Sequence, residues 1–290
     1  MGNVIRTRAF AKANLSLNVT GKKADGMHSL DSVMMSLDVF DTVTVAERAD
    51  KEITVRFVNA RVDGENTAFK AARAVQRVIG GNGWDITVEK RIPMGAGLGG
   101  SSADGAAVLR ALDVMYKLPQ RGADMRALAL SVGSDVPFML TGGLARVGGV
   151  GEDLFFIENK LEIFIVGLMA ESVSTSAAYA KFDAMYGGDG VCPIDNDKLC
   201  DSLLAGDAAA LDALGNALYA PAVELAPSIA RNARMLAEAG ARVNMTGSGG
   251  MVLGYFSDVE KFAACARELK NEKGFAVFAP AKTGVLHERL

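Results

Sequence analysis

Residues 92–109 read IPMGAGLGGSSADGAAVL: Gly95, Gly97, Gly99 and Gly100, then Ser101 and Ser102, then small apolar residues at helical spacing. Phosphate oxygens are best met by several backbone N–H groups converging at a helix N-terminus, where unpaired donors and the positive dipole end both favour an anion. Side chains would block that approach, so glycine suits such a cradle. The two serines can cap the helix, and their hydroxyls can reach a phosphate. A tight turn needed only for packing is the competing reading. Gly95, Gly97 and Gly100 also satisfy the dinucleotide pattern G-x-G-x-x-G, but the acidic residue expected about twenty positions later is missing: Asp113 is too near and Asp124 falls in another segment. No G-x-x-x-x-G-K-[ST] occurs.

The 290 residues are 50% apolar and 22% charged, a globular composition, with a net charge of −3. That charge argues against nucleic-acid and membrane-surface partners, so an anionic ligand must be met by local positive charge. Cys192, Cys200 and Cys265 form no C-x-x-C pair and have only His28 and His287 to join them, which argues against zinc and suits a reducing, cytoplasmic compartment. The opening MGNVIRTRAF has no apolar signal region, and Arg6 stands where myristoylation needs Ser or Thr. No apolar run is long enough to span a bilayer.

The elements that must position the loop are legible as patterns. Strands are expected in IRTRAFAKANLSLNVTG, over 31–48 (one strand or two), and in EITVRFV and WDITVEKRIP. Helices are expected in ENTAFKAARAVQRVIG, after the glycine loop to about Tyr116, and in DMRALALSVG. Residues 134–157 read as short strands between glycine turns. A new strand starts at LEIFIVGLM, followed by four helical stretches (one around Leu211–Leu218), a strand–turn–strand in ARVNMTGSGGMVLGYF, and a last strand in FAVFAPAKTG. The fold class is α+β, with a boundary near Asn159 dividing 1–159 from 160–290.

Four blocks together resemble the GHMP kinase superfamily: AKANLSLNVTGKKADGMHSL, PMGAGLGGSSADGAAVL, GSDVPFML and VNMTGSGGMVLGYF. The first and third are most similar to the branch that phosphorylates a cytidine-diphosphate-linked methylerythritol in non-mevalonate isoprenoid synthesis. The resemblance implies an N-terminal domain like ribosomal S5 domain 2 and a ferredoxin-like C-terminal domain, with the site between them. It also implies transfer of the ATP γ-phosphoryl group to a polyol hydroxyl with Mg²⁺.

The resemblance assigns roles residue by residue. Asp135 matches the catalytic aspartate, which orients a hydroxyl and takes its proton; a turn or cap aspartate before Pro137 is the alternative. Lys12 matches the lysine that keeps that carboxylate ionised and offsets phosphoryl charge. Residues Pro93, Met94, Gly95, Ala96, Gly97, Leu98, Gly99, Gly100, Ser101, Ser102 and Ala103 match the ATP loop. Asn66 and Lys90 match the adenine pocket, with a helix cap and a surface charge as their plain alternatives. Asn14, His28, Tyr179 and Gly247 match substrate contacts, His28 reading cytosine and Tyr179 stacking on it. Met27 departs from the usual aromatic before that histidine, and Ser101 from a third consecutive glycine; Met27 raises the alternative of a drifted substrate. A non-catalytic ATP-binding protein is the other alternative. No carboxylate is marked by spacing as a magnesium ligand.

Overall fold

The computed structural model describes residues 3–62 and 66–289. Met1 and Gly2, and Glu65 at the start of the first helical pattern, lie outside them. The first half runs β1 (Val4–Lys22), β2 (His28–Arg48), β3 (Ile53–Phe57), α1 (Thr67–Ile79), β4 (Gly83–Glu89), α2 (Gly100–Tyr116), α3 (Met125–Val132), α4 (Val136–Thr141), β5 (Leu144–Gly149) and β6 (Asp153–Phe156). The second half runs β7 (Phe164–Met169), α5 (Thr175–Tyr186), α6 (Asn196–Ala205), β8 (Gly215–Asn216), α7 (Tyr219–Leu225), α8 (Ser228–Glu238), β9 (Arg242–Met245), β10 (Met251–Phe256), α9 (Val259–Leu269), β11 (Phe275–Phe278) and β12 (Val285–Arg289).

Among the described residues the strands form two sheets. The first has the order β12-β1-β2-β4-β3, with β5 also on β2, β6 on β5 and β8 on β1. The second has the order β11-β7-β10-β9. Numbered within itself, that second sheet is 4-1-3-2, with α8 crossing between its first two strands and α9 between its last two. This is the split βαβ arrangement of a ferredoxin-like domain, as the sequence resemblance implies.

β1 carries the site and shows why. Its N-terminal part alternates, with Ile5, Thr7 and Ala9 buried and Arg6 and Arg8 exposed, as on a sheet with one wet face. From Ala9 to Val19 every residue is buried. The register against β2 slips between Asn14 and Ser16, which inserts Leu15 as one extra residue. A bulge of this kind flips side-chain parity. Accordingly Ala11, Ala13 and Leu15 belong to the first hydrophobic core, whereas Leu17 and Val19 belong to the second. One strand thus serves both cores, with buried Lys12 and Asn14 at the crossover.

α1 starts where Asn66 accepts the Phe69 N–H (2.9 Å) and stops at Gly80, whose φ of 76° is left-handed. It lies close to α2 because Gly105 has no side chain: a methyl there would sit 3.0 Å from Val132 and 3.3 Å from Thr67.

The structure differs from the sequence expectations in the irregular segments. Residues 136–141 form α4, not a strand; Pro137 falls in its first turn, where a missing N–H costs nothing. Residues 211–218 are the end of a 3₁₀ turn (Ala208–Ala213) followed by β8, because Asp207 caps the turn and Gly215 pairs in parallel with Ser16. β12 lies beyond the last expected strand and closes the first sheet against β1.

The halves are joined by buried asparagines. Asn244 Nδ2 donates to the carbonyls of Asn14 (3.1 Å), Leu15 (3.0 Å) and Gly215 (3.3 Å). Replacing it by alanine leaves these buried carbonyls short of a donor. We expect Asn244→Ala to lose about 1–3 kcal/mol of stability, measured by urea unfolding.

Candidate active site

A cavity of about 570 Å³ lies between the two sheets, with the glycine loop as one wall. Gly95, Gly97 and Gly99 have φ of 68°, 73° and 72°, whereas Ala96 and Leu98 between them keep negative φ. Alternation of this kind turns successive N–H groups toward one concavity. The carbonyls, by contrast, point into the protein. Ser172 Oγ donates to Gly95 O (2.9 Å), Thr246 Oγ1 to Gly97 O (3.2 Å) and the Lys12 N–H to Leu98 O (3.0 Å). The helix that follows begins at Gly99 with no side-chain cap, so its first amides are left for a ligand.

The same glycines also answer the packing reading. A methyl on Gly97 would lie 2.3 Å from the Thr246 carbonyl oxygen, and one on Gly250 would lie 2.0 Å from the Gly95 carbonyl oxygen. The loop is therefore both a cradle and one half of a backbone-to-backbone joint with the 246–250 turn.

Asp135 stands at the N-terminus of α4 and makes no cap hydrogen bond. Its carboxylate faces the Lys12 ammonium at 3.8 Å. The Lys12 ammonium donates to Asn14 Oδ1 (2.6 Å), which also accepts the Gly247 N–H (3.0 Å). Asn14 Nδ2 in turn donates to Ser32 Oγ (2.9 Å). Burial pushes the Lys12 pKa down, opposed by the Asp135 charge. Tyr179 is raised, by burial first and then by the Asp135 carboxylate.

Twelve of the expected ATP positions line the cavity (Asn66, Lys90 and Pro93 through Ser102) with Lys12, Asp135, Asn14, Tyr179 and Gly247. Ala103 does not: its side chain is in the core and its N–H donates to Gly99 O (2.9 Å). Asn66 is the cap of α1 as well as a wall residue. Lys90 is not a surface charge but a buried one, paired with Asp41 and with Asp104 (2.8 Å). Ser101 receives the Thr67 hydroxyl on its carbonyl.

Met27 and His28 are not among the wall residues. His28 stacks directly on Tyr179, with centroids 4.5 Å apart at 22°, so no third ring fits between them. Its Nε2 is 2.7 Å from Asp183, which Lys22 also contacts at 2.5 Å. Lys22 first and then His28 hold the Asp183 carboxyl below its ordinary range. Met27 is 46% exposed on the adjoining turn.

Sequence reasoning missed several wall residues: Thr67, Asp104, Ser134, Thr175 and Ser248. Thr175 and Ser248 are 3.3 Å apart by their hydroxyls. The helix-start pattern STS and the TGSGG turn were their only signals, and neither separates a wall hydroxyl from a cap.

Residues 66–143 match the GHMP kinases N terminal domain. A 4-diphosphocytidyl-2-C-methyl-D-erythritol kinase from Cereibacter sphaeroides is 39% identical over 272 residues, covering 91% of this chain and 94% of its own. The chain belongs to the 4-diphosphocytidyl-2-C-methyl-D-erythritol kinase family. A second member of that kinase family, from Chlorobium phaeobacteroides, is 32% identical over 280 residues, covering 95% of this chain and 97% of its own. A crystal structure of 4-(cytidine 5'-diphospho)-2C-methyl-D-erythritol kinase superposes with a TM-score of 0.75 at 29% identity, covering 95% and 99% of the two chains. A homoserine kinase from Cytophaga hutchinsonii, at 18% identity and a TM-score of 0.73, covers 99% and 98% and shares the fold.

Two outcomes follow from the geometry. Gly97→Ala adds a methyl where φ is 73° and Thr246 O is 2.3 Å away, so we expect weakened ATP-analogue binding by titration calorimetry in a folded protein. The Asp104 carboxyl is pushed up to about 7, by burial against the pull of Lys90, with Asp41 adding to the rise. The folded state therefore keeps a proton that the unfolded chain has lost between about pH 4 and pH 7. Stability relative to Asp104→Asn should fall as pH rises through that window and level off above it, as read from urea midpoints.

Proposed function

We propose that this chain transfers the γ-phosphoryl group of ATP to a hydroxyl of 4-diphosphocytidyl-2-C-methyl-D-erythritol. One observation carries the reading: Lys12 and Asp135 meet at 3.8 Å inside the cavity that the glycine loop walls. In this reading the amides of the loop and of the first turn of α2 hold the phosphates. The hydroxyl oxygen attacks the γ-phosphorus, the bond to the β–γ bridging oxygen breaks, and Asp135 takes the hydroxyl proton as ADP leaves. Lys12 faces the Asp135 carboxylate and offsets charge on the transferring group. Asn14 fixes the ammonium by accepting its hydrogen bond.

Mg²⁺ belongs to the proposal through the nucleotide. Among the described residues no three His, Cys, Asp or Glu side chains are grouped to hold a metal. Mg²⁺ is commonly held by one or two carboxylates plus substrate phosphates and waters, which needs no such cage. Asp135 is the wall carboxylate able to face it, and the ion would neutralise phosphate charge.

The cytidine end is assigned to the side of Tyr179. Because His28 and Tyr179 already touch, the base stacks beside this pair rather than between its rings. Met27 offers a polarizable but not planar contact. A related polyol with a different head group is the second reading, and Met27 is the observation that favours it. Among the described residues no helix is long and apolar enough to cross a membrane; the three free cysteines suit the reducing compartment of a cytoplasmic assignment.

The test is turnover. With Mg-ATP and the cytidylyl polyol, wild type should release ADP. Asp135→Ala should lower kcat by about 10²–10⁴-fold and retain ATP binding. ATP binding with no turnover of any polyol would refute the reading.

A further inference from the structure

The glycine loop is anchored from below as well as from the facing turn. Asp41, on β2, accepts two backbone N–H groups at the entry to the loop, from Arg91 (2.5 Å) and Ile92 (2.9 Å). Asp104, in the second turn of α2, stands one turn beyond the loop's exit. The Lys90 ammonium joins them, contacting Asp41 and lying 2.8 Å from Asp104 Oδ2. Asn59 fixes the Lys90 backbone by accepting its N–H (2.8 Å) and donating to its carbonyl (2.8 Å). The three charged side chains are only 8%, 0% and 4% exposed for Lys90, Asp41 and Asp104. A methyl on Gly100 would lie 3.3 Å from the ammonium, so the loop rests on this group.

Two carboxylates and one ammonium taken out of water are a poor device for stability alone. They are also a poor direct neighbour for an anionic ligand, since the trio carries net negative charge when both acids ionise. Asp104 even leaves one oxygen, Oδ1, buried with no partner among the described residues. What the trio does well is fix geometry: it ties strand β2, the entry of the loop and the start of α2 through one nitrogen.

We propose that Asp104, acting with Asp41 through Lys90, is a positioning residue for the nucleotide phosphates. It holds the two ends of the glycine loop at one separation, so that the amides form a cradle before ATP arrives. A preformed site avoids the ordering cost of binding. The inference rests on the kinase reading above, because that reading supplies the ATP. The Lys90 side chain then serves the loop and not the adenine ring.

Charge and positioning predict opposite signs, which makes the proposal testable. If Asp104 acted only as a nearby negative charge, removing that charge would tighten ATP binding. Positioning predicts that Asp104→Leu weakens it, with Kd for AMP-PNP and Mg²⁺ by calorimetry and KM for ATP both rising about tenfold or more. The kcat at saturating ATP and the KM for the polyol should hardly move. Asp104→Asn, which keeps an oxygen acceptor for Lys90, should restore ATP binding to within about threefold of wild type. Should Asp104→Leu fail to fold, the double variant Lys90→Met/Asp104→Leu removes the charges together and should show the same loss. Wild-type binding of AMP-PNP with unchanged or tighter binding by the folded Leu variants would overturn this inference alone. A wild-type protein that does not bind AMP-PNP would overturn the kinase reading and this inference with it.

Discussion

The architecture turns on a backbone-to-backbone contact between two glycine turns. The 95–99 loop follows a strand of the first sheet, and the 246–250 turn joins two strands of the second. Gly97 lies against Thr246, and Gly250 against Gly95, at separations where a single methyl would collide. Because backbone meets backbone at both contacts, with the Thr246 hydroxyl bonded to Gly97 O beside them, the relative position of the two sheets is set by covalent geometry and hydrogen bonds, which bend little. Everything that must converge in the cleft inherits its placement from that joint.

Around the joint the protein places buried polar groups and satisfies them. Asn216 Nδ2 donates to the carbonyls of Met245 and Gly247, both at 2.8 Å, and its Oδ1 accepts the Leu218 N–H. Asn14 and Asn244 do the same work one strand away. Each such amide desolvates at a cost and is compensated only in one geometry. Asparagines at a seam between sheets therefore select one arrangement of the halves over sliding alternatives. Lys12 sits in the same seam, and its lowered pKa reflects how dry that seam is.

Much of this was legible in the sequence, for identifiable reasons. The strands and helices with clean periodicity were found because burial on one face leaves a pattern. The glycine loop was found because four glycines in six residues have few uses. α4 was not, because Pro137 in its first turn and Gly142 just past its end read as turn signals when the helix is only six residues long. β8 and β12 escaped because their pairing partner, β1, is distant in sequence and supplies the reason they are strands at all. Lys90 was read as a pocket or surface charge because its two counter-ions, Asp41 and Asp104, lie 49 and 14 positions away. The His28–Tyr179 stack joins residues brought together only by the fold, so spacing alone carried no sign of it.

The pairing of β12 with β1 reaches into biogenesis. Ala9 on the first strand pairs with Val285 in β12, the last strand among the described residues. At ordinary rates of translation the first strand waits on the order of tens of seconds for that neighbour. Until then one border of the first sheet has open hydrogen-bonding groups, and a nascent chain holding the glycine loop still lacks both the facing turn and this closing strand. Synthesis of β12, rather than of the N-terminal half, marks the moment at which the sheet is sealed.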